Sequence, residues 1–189
     1  MSDKNEYPAL KSGMRSLNSG LYDLISDLPY NLVMAEIGCY AGESSAMFLK
    51  SGKITEFHAI DVWDKNWVPH YDETREHLIK NQKSIYEDID WAFWSFKERV
   101  KGFNVKIHKM TFDEAMENIP PLDFIYIDGD HSYKGVMSDI LNAKEIIKKN
   151  GIIAGHDYCD QYKGAIKAVN QVFGKPDRVY RDSSWMVFT

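Results

Sequence analysis

The sequence predicts one α/β domain: a doubly wound, mostly parallel seven-stranded sheet with helices on both faces and a C-terminal antiparallel hairpin. Three observations predict it. Short apolar runs at 33–38, 55–61, 122–128 and 151–157 end in glycine or aspartate. Segments with helical spacing of apolar residues alternate with them. The last residues, 177–189, read as two strands around a tight turn at Asp182–Ser184.

The elements follow in order. Residues 9–28 carry Met14, Leu17, Leu21, Leu24, Ile25 and Leu28 at helical spacing, and Pro29 stops that helix. A buried strand follows at 33–38, then a helix over 42–50 and a second strand at 55–61. Residues 104–109 alternate and read as a third strand. The run 122–128 is apolar almost throughout, as a strand covered on both faces should be. An amphipathic helix over 133–149 places Val136, Ile140, Ala143 and Ile147 on one stripe. Residues 151–157 form a fifth strand, and 163–173 a helix with Ile166, Val169 and Val172 inward. Two segments depart from this rhythm: the helical extension 1–29, and the insertion 62–102, which is expected to be a helical lid. The insertion holds four of the five tryptophans, Trp63, Trp67, Trp91 and Trp94, and looks helical around Leu78, Ile85 and Ile89.

A length of 189 residues suits one core. The chain is 44% hydrophobic and 27% charged, with no run long enough to cross a bilayer and no secretory apolar segment, so it reads as cytoplasmic. A net charge of −5 disfavours a basic nucleic-acid footprint. Cys39 and Cys159 form no CxxC pair and read as reduced thiols.

In a doubly wound sheet, ligands bind beyond the carboxyl ends of the strands. Polar residues gather there: Glu36 and Gly38, Asp61, Asp128 to His131, and His156 with Asp157. In the first loop, EIGCYAGES, Gly38 and Gly42 permit close backbone approach. The amides opening the next helix, with Ser44, suit a carboxylate, and Glu36 suits an ammonium while repelling a pyrophosphate. The dinucleotide GxGxxG and the P-loop GK[ST] are both missing. Asp61, ending the second strand, can accept two ribose hydroxyls or cap the next helix. Asp128, Asp130 and His131 fall within four positions. Ser132 or Asp130 can cap the following helix, which leaves Asp128 and His131 unexplained. Asp128 and Asp157 end neighbouring strands and can share a cation, with His156 leaning toward a transition metal. The alternative is a metal-free His–Asp pair.

These residues resemble the class I S-adenosylmethionine-dependent methyltransferases, of Rossmann-like fold. The similarity is greatest to the small branch carrying IDGDHSY and GHDY, which includes the macrocin and mycinamicin sugar O-methyltransferases. Catechol O-methyltransferase is more distantly similar through the first loop. The resemblance covers roughly residues 30–189. It implies that Glu36 and the loop of Gly38, Tyr40 and Gly42 hold the methionine moiety, with Ser44 near its carboxylate. It implies Asp61 at the ribose and Thr111, Phe112 and Asp113 beside the adenine. Asp128 would lie near the methionine amine and, with Asp157 and His156, hold Mg²⁺ or another divalent cation. His131 falls at the position of the general base, with Asp128 beside it in the catalytic set. The expected cofactor set includes Trp63, and Trp63 and Trp67 are the best-placed rings to stack on an acceptor.

The implied reaction is O-methylation of a sugar or other small-molecule hydroxyl. Methyl transfer from a sulfonium needs alignment of the acceptor and removal of its proton. Three rivals stand beside it: a nicotinamide oxidoreductase, a metal-dependent hydroxylase-like enzyme using Asp128, His131, His156 and Asp157, and a non-catalytic S-adenosylmethionine-binding protein. A homodimer is one candidate assembly, with the N-terminal helix covering the site or mediating contact.

Overall fold

The computed structural model describes residues 14–64 and 89–189, with side chains from Gly20 onward. The expected start of the first helix, most of the insertion, and Trp67, Leu78 and Ile85 lie outside the described residues. The elements are α1 (Met14–Asp27), β1 (Leu32–Ile37), α2 (Glu43–Lys50), β2 (Ile54–Ile60), α3 (Ile89–Arg99) and β3 (Val105–His108). There follow α4 (Phe112–Ala115), β4 (Leu122–Ile127), α5 (Tyr133–Ile146), β5 (Ile147–Gly155), α6 (Lys163–Phe173), β6 (Arg178–Val179) and β7 (Trp185–Phe188).

The strands form one seven-stranded sheet in the order β3-β2-β1-β4-β5-β7-β6. The first five are mutually parallel; β7 runs antiparallel to both β5 and β6. This is the doubly wound α/β sheet with a closing hairpin that the sequence predicts. The chain moves outward from β1 to β3, then crosses back to place β4 on the other side of β1. The crevice between the carboxyl ends of β1 and β4 is therefore the topological switch point.

Strand alternation divides the core into two layers. Met34, Phe57, Phe124 and Tyr126 face one way and pack with Leu24, Phe48 and Phe96 of α1, α2 and α3. Ala35, Ile37, Ile125, Ile127 and Ile153 face the other way, toward Phe112, Ile140 and Val169 of α4, α5 and α6. Each fully buried Ile, Phe or Met stabilises the fold by about 1.5–3 kcal/mol.

Two boundaries differ from expectation. Helix α5 ends at Ile146, and the fifth strand starts at Ile147 rather than at 151. Ile147 pairs with Leu122, and Ile152 already pairs with Phe124, so the register shifts between them. Asn150, at φ 62°, takes up the extra chain in a left-handed turn. A run of polar residues next to Ile146 continues the helical pattern in sequence, and only pairing with β4 breaks it. The N-terminal helix is fastened to the C-terminal hairpin. Asp27 meets Arg178 at 2.5 Å and accepts from the Tyr180 hydroxyl at 2.8 Å, while Asp23 meets Arg181 at 3.0 Å. Among the described residues no helix is long and apolar enough to cross a membrane.

Candidate active site at the carboxyl rim

A cavity of about 520 Å³ opens at the carboxyl ends of β1, β2, β3 and β4. Its size falls within the usual range for small-molecule sites. Gly38, Tyr40, Asp61, Thr111, Phe112, Asp113, Asp128 and His131 line it, joined by Asp130, Lys134, Ser138 and Asp139. Glu36, Gly42, Ser44, Trp63, His156 and Asp157 do not.

The β1 and β4 loops meet at Gly38. Its N–H donates to the Ile60 carbonyl at 2.9 Å, and Asp128 N–H donates to the Ile37 carbonyl at 2.8 Å. Gly38 has φ 87°, and a Cβ there would lie 2.2 Å from the Asp128 carbonyl oxygen. Only glycine allows that approach. Tyr40 N–H and Trp63 N–H donate to the two oxygens of Asp61, at 2.8 and 2.9 Å. These bonds fix the carboxylate at the end of β2 and leave lone pairs for further donors. Burial raises its pKa above the ordinary carboxylate value.

Packing turns four residues of the expected cofactor set away from the cavity. Glu36 has the parity of Met34, so it faces α2 instead of the cavity. It is 0% exposed, and the hydroxyls of Ser44 and Ser45 donate to its carboxylate. Burial raises it to about 7, against the lowering effect of those hydroxyls. The Ser44 hydroxyl is thus engaged by Glu36, away from the cavity. Trp63 is 1% exposed, stacks within 5 Å of Phe93 and Phe96, and donates from Nε1 to the Tyr40 carbonyl. Its ring closes the core below the loop, which replaces the expected stacking on a ligand. Gly42, at φ 82°, turns the chain into α2 against Phe96 and takes no part in the lining.

Beyond β4 and β5, a second and smaller void of about 10 Å³ is walled by Asp128, His131, His156, Asp157 and Trp185. That is room for about one water-sized species. Asp157 has φ 62°, a conformation that costs a non-glycine residue of order 1–3 kcal/mol. The turn aims its carboxylate between two imidazoles. His156 Nδ1 lies 3.0 Å from one Asp157 oxygen and 3.7 Å from Asp128. His131 Nδ1 abuts the other Asp157 oxygen. Burial opposes a charge on each histidine, but the Asp157 and Asp128 carboxylates outweigh it. They raise His131, and His156 to about 10. Burial likewise raises Asp128, to about 6, whereas the two histidines hold Asp157 well below the usual range despite its burial.

Candidate ligand atoms of Asp128, His131 and Asp157 lie within 4.8 Å of one another. The donors therefore fit a small cation. The sequence assigned Asp128, Asp157 and His156 to that role; the converging trio contains His131 in place of His156.

The sequence reading missed Asp139, Ser138 and Lys134. A signal for Asp139 existed. It stands three residues after Val136 and one before Ile140, inside the apolar stripe of α5, where an acid has no packing reason.

The comparisons with known proteins fall in the same place. A family model described as a methyltransferase domain matches residues 35–158, which holds every cavity-lining loop named above. An uncharacterized protein of Acanthamoeba polyphaga mimivirus is 28% identical over 136 residues, 69% of this chain; the chain spans 53% of that relative's length. Among solved structures, precorrin-8w decarboxylase of Methanobacterium thermoautotrophicum superposes with a TM-score of 0.58 at 16% identity, covering 96% of this chain and 88% of its own. The calicheamicin methyltransferase CalS11 superposes with a TM-score of 0.58 at 14% identity, covering 95% and 80%. At such identities the structural likeness speaks for the fold alone, a Rossmann-like sheet. The family match spans the rim from the strand that presents Gly38 to the turn after Asp157, so by fold and by sequence this chain belongs to the methyltransferase-domain family.

Proposed function

We propose that the protein is an S-adenosylmethionine-dependent methyltransferase acting on a hydroxyl of a small molecule, a sugar being the leading class. The observation that carries the reading is the charge of the rim cavity. Asp61, Asp113, Asp128 and Asp130 line it against Lys134 and His131. Such a wall suits a ligand bearing a sulfonium and an ammonium and disfavours a dinucleotide's pyrophosphate. CalS11 is described as a TDP-rhamnose 3′-O-methyltransferase, which supports the sugar class by likeness of fold.

S-adenosylmethionine, when bound, supplies a methyl group already activated on a sulfonium. The chain's own residues do the rest. The free lone pairs of Asp61 accept the ribose hydroxyls. Thr111, Phe112 and Asp113 border the adenine. Gly38 and Asp128 flank the methionine moiety at the switch point. Asp157 orients His131 through Nδ1, leaving Nε2 to take the acceptor's proton, a step worth typically 10²–10⁴-fold. The neighbouring carboxylates raise His131, so turnover rises with pH as the imidazole loses its proton.

A second reading is favoured by the convergence of donor atoms from Asp128, His131 and Asp157. Asp128 and Asp157, with His131 or His156, would hold a divalent cation, which lowers the pKa of a bound hydroxyl and fixes its orientation. The two roles of His131 exclude each other: a nitrogen that ligates a cation cannot also carry the proton pointing at Asp157. Nitrogen donors favour a transition ion over Mg²⁺, which also keeps the hydroxylase-like alternative within reach of a metal analysis.

Thermal-shift and calorimetric titration with S-adenosylhomocysteine, S-adenosylmethionine and NAD⁺ tests the main reading. Both adenosyl ligands are expected to bind and raise the melting temperature, and Asp61→Ala to weaken both. Saturable binding of NAD⁺ alone overturns the assignment.

A further inference from the structure

We propose that the turn of the C-terminal hairpin, anchored by Trp185, holds Asp157 in the left-handed conformation that aims it at His131, and that the N-terminal helix locks this turn through Gly20. Trp185 and Gly20 are thus positioning residues. The inference rests on the reading of His131 as the acceptor's base and adds what sets its orientation.

The Cα of Asp157 joins two rigid peptide planes, so fixing both planes fixes its φ and ψ. The hairpin ties one group of each plane. On the preceding side, Trp185 Nε1–H donates to the His156 carbonyl at 3.2 Å. On the following side, Tyr158 N–H donates to the Ser183 carbonyl at 3.0 Å. A left-handed non-glycine residue persists only where its surroundings over-determine it. At φ 62° the Asp157 carboxylate reaches both imidazoles. Relaxation to an ordinary negative φ would swing its Cβ, and the carboxylate with it, away from them.

The hairpin turn can hold Asp157 because it is itself fixed. Trp185 is buried, and its ring lies against Gly155, where a Cβ would come within 2.8 Å of Cζ2. Asp182 is buried in the turn and accepts from the Ser184 N–H and hydroxyl, both at 3.0 Å. The Tyr126 hydroxyl of β4 meets the same Ser184 oxygen at 3.0 Å. From the other side α1 closes on the turn at Gly20. A Cβ there would stand 2.1 Å from Asp182 Oδ1 and 2.5 Å from the Asp182 backbone nitrogen, so a side chain at that position would push the turn. Gly20, Asp182 and Trp185 are all absent from the lining of the large cavity. The N-terminal helix therefore acts on the reacting end without touching it.

Two variants test this from opposite sides. Trp185→Phe removes the N–H and keeps an aromatic ring; its crystal structure is expected to show Asp157 outside the left-handed region or split between two conformations. Gly20→Ala pushes the turn from α1, and its readout is the NMR signals of the imidazole Cε1–H groups. Those of His131 and His156 should shift, while those of His58 and His108, a stacked pair on the β2–β3 edge, should stay in place. Leu49→Ala, a core truncation in α2, is the control for lost stability and should move neither pair. S-adenosylhomocysteine affinity should stay within a few fold of wild type in all three. Asp157 unmoved in Trp185→Phe overturns its anchoring by the hairpin. Unmoved His131 and His156 signals in Gly20→Ala, or equal shifts in all four histidines, overturn the lock from α1. If one variant fails to fold, the other decides for the turn as a whole. A wild-type protein that binds no S-adenosylhomocysteine overturns the cofactor reading alone, because the Asp157 backbone and the histidine signals report the turn in either case.

Discussion

Gly38→Ala is the sharpest test of how the β1 and β4 loops form the cavity. An added Cβ would lie 2.2 Å from the Asp128 carbonyl oxygen and 2.7 Å from Gly129 Cα, against 3.4 Å for ordinary contact. The loops must part by about 1.2 Å, and both contacts are backbone, so no rotamer change relieves them. The left-handed φ adds about 1–2 kcal/mol, and overpacking of this kind about 1–3 kcal/mol. A loss near 3 kcal/mol lowers the melting temperature of a domain this size by roughly 6–12 °C. Displacing Asp128 by about 1 Å should also cost on the order of 100-fold in turnover. Gly52→Ala is the control: Gly52 has φ 70° and nothing within 4 Å, so it carries the strain without the contact. Melting curves and S-adenosylhomocysteine titration of both variants separate the terms. If Gly38→Ala melts no lower than Gly52→Ala and binds normally, the loops do not meet as described.

Two further outcomes follow from the buried acids and the histidine. Glu36 binds its proton more tightly when folded, at about 7 against an ordinary 4.5, so wild-type stability falls as pH rises through that window and is level above it. Glu36→Gln removes the dependence and should be more stable than wild type at pH 8 by up to about 3 kcal/mol, with little difference at pH 4. Urea unfolding at both pH values checks it; an equal effect at the two refutes the burial argument. His131→Ala should lower turnover by roughly 10²–10⁴-fold while leaving S-adenosylhomocysteine affinity within a few fold. Unchanged turnover removes His131 from the proton transfer.

The sheet was legible because each buried parallel strand is an apolar run stopped by a residue that packing cannot explain. Gly38, Asp61 and Asp128 mark three strand ends, and all three line the cavity. Glu36 misled for a reason of parity. The run Val33–Ile37 is buried on both faces, so nothing in its composition says which face an acid in it will join. Only alternation with Met34, which packs beneath α2, turns Glu36 toward Ser44 and Ser45. Trp63 misled because an aromatic beside a strand end suits a ligand wall and a core equally well. The contacts that decide it, with Phe93 and Phe96, come from α3, some thirty residues on. Asp139 was legible in principle, as a charge inside an apolar stripe, but a stripe read for its hydrophobes hides it.

The rim gathers groups that the fold alone would not tolerate. Burial raises Asp61, Asp128 and Asp139, so each disfavours its own ionised form in the open cavity. Asp157 adds a strained backbone and leans on two imidazoles for its charge. These costs do not stabilise the sheet, since the apolar layers above and below it are complete without them. They concentrate at the switch point between β1 and β4, where the chain reverses its winding and leaves a crevice. A cationic ligand entering there would favour the ionised carboxylates that burial now opposes. Electrostatic strain that a positive charge would relieve is thus the property of the large cavity's acid lining, whereas in the small cluster two imidazoles already hold Asp157 in its charged form.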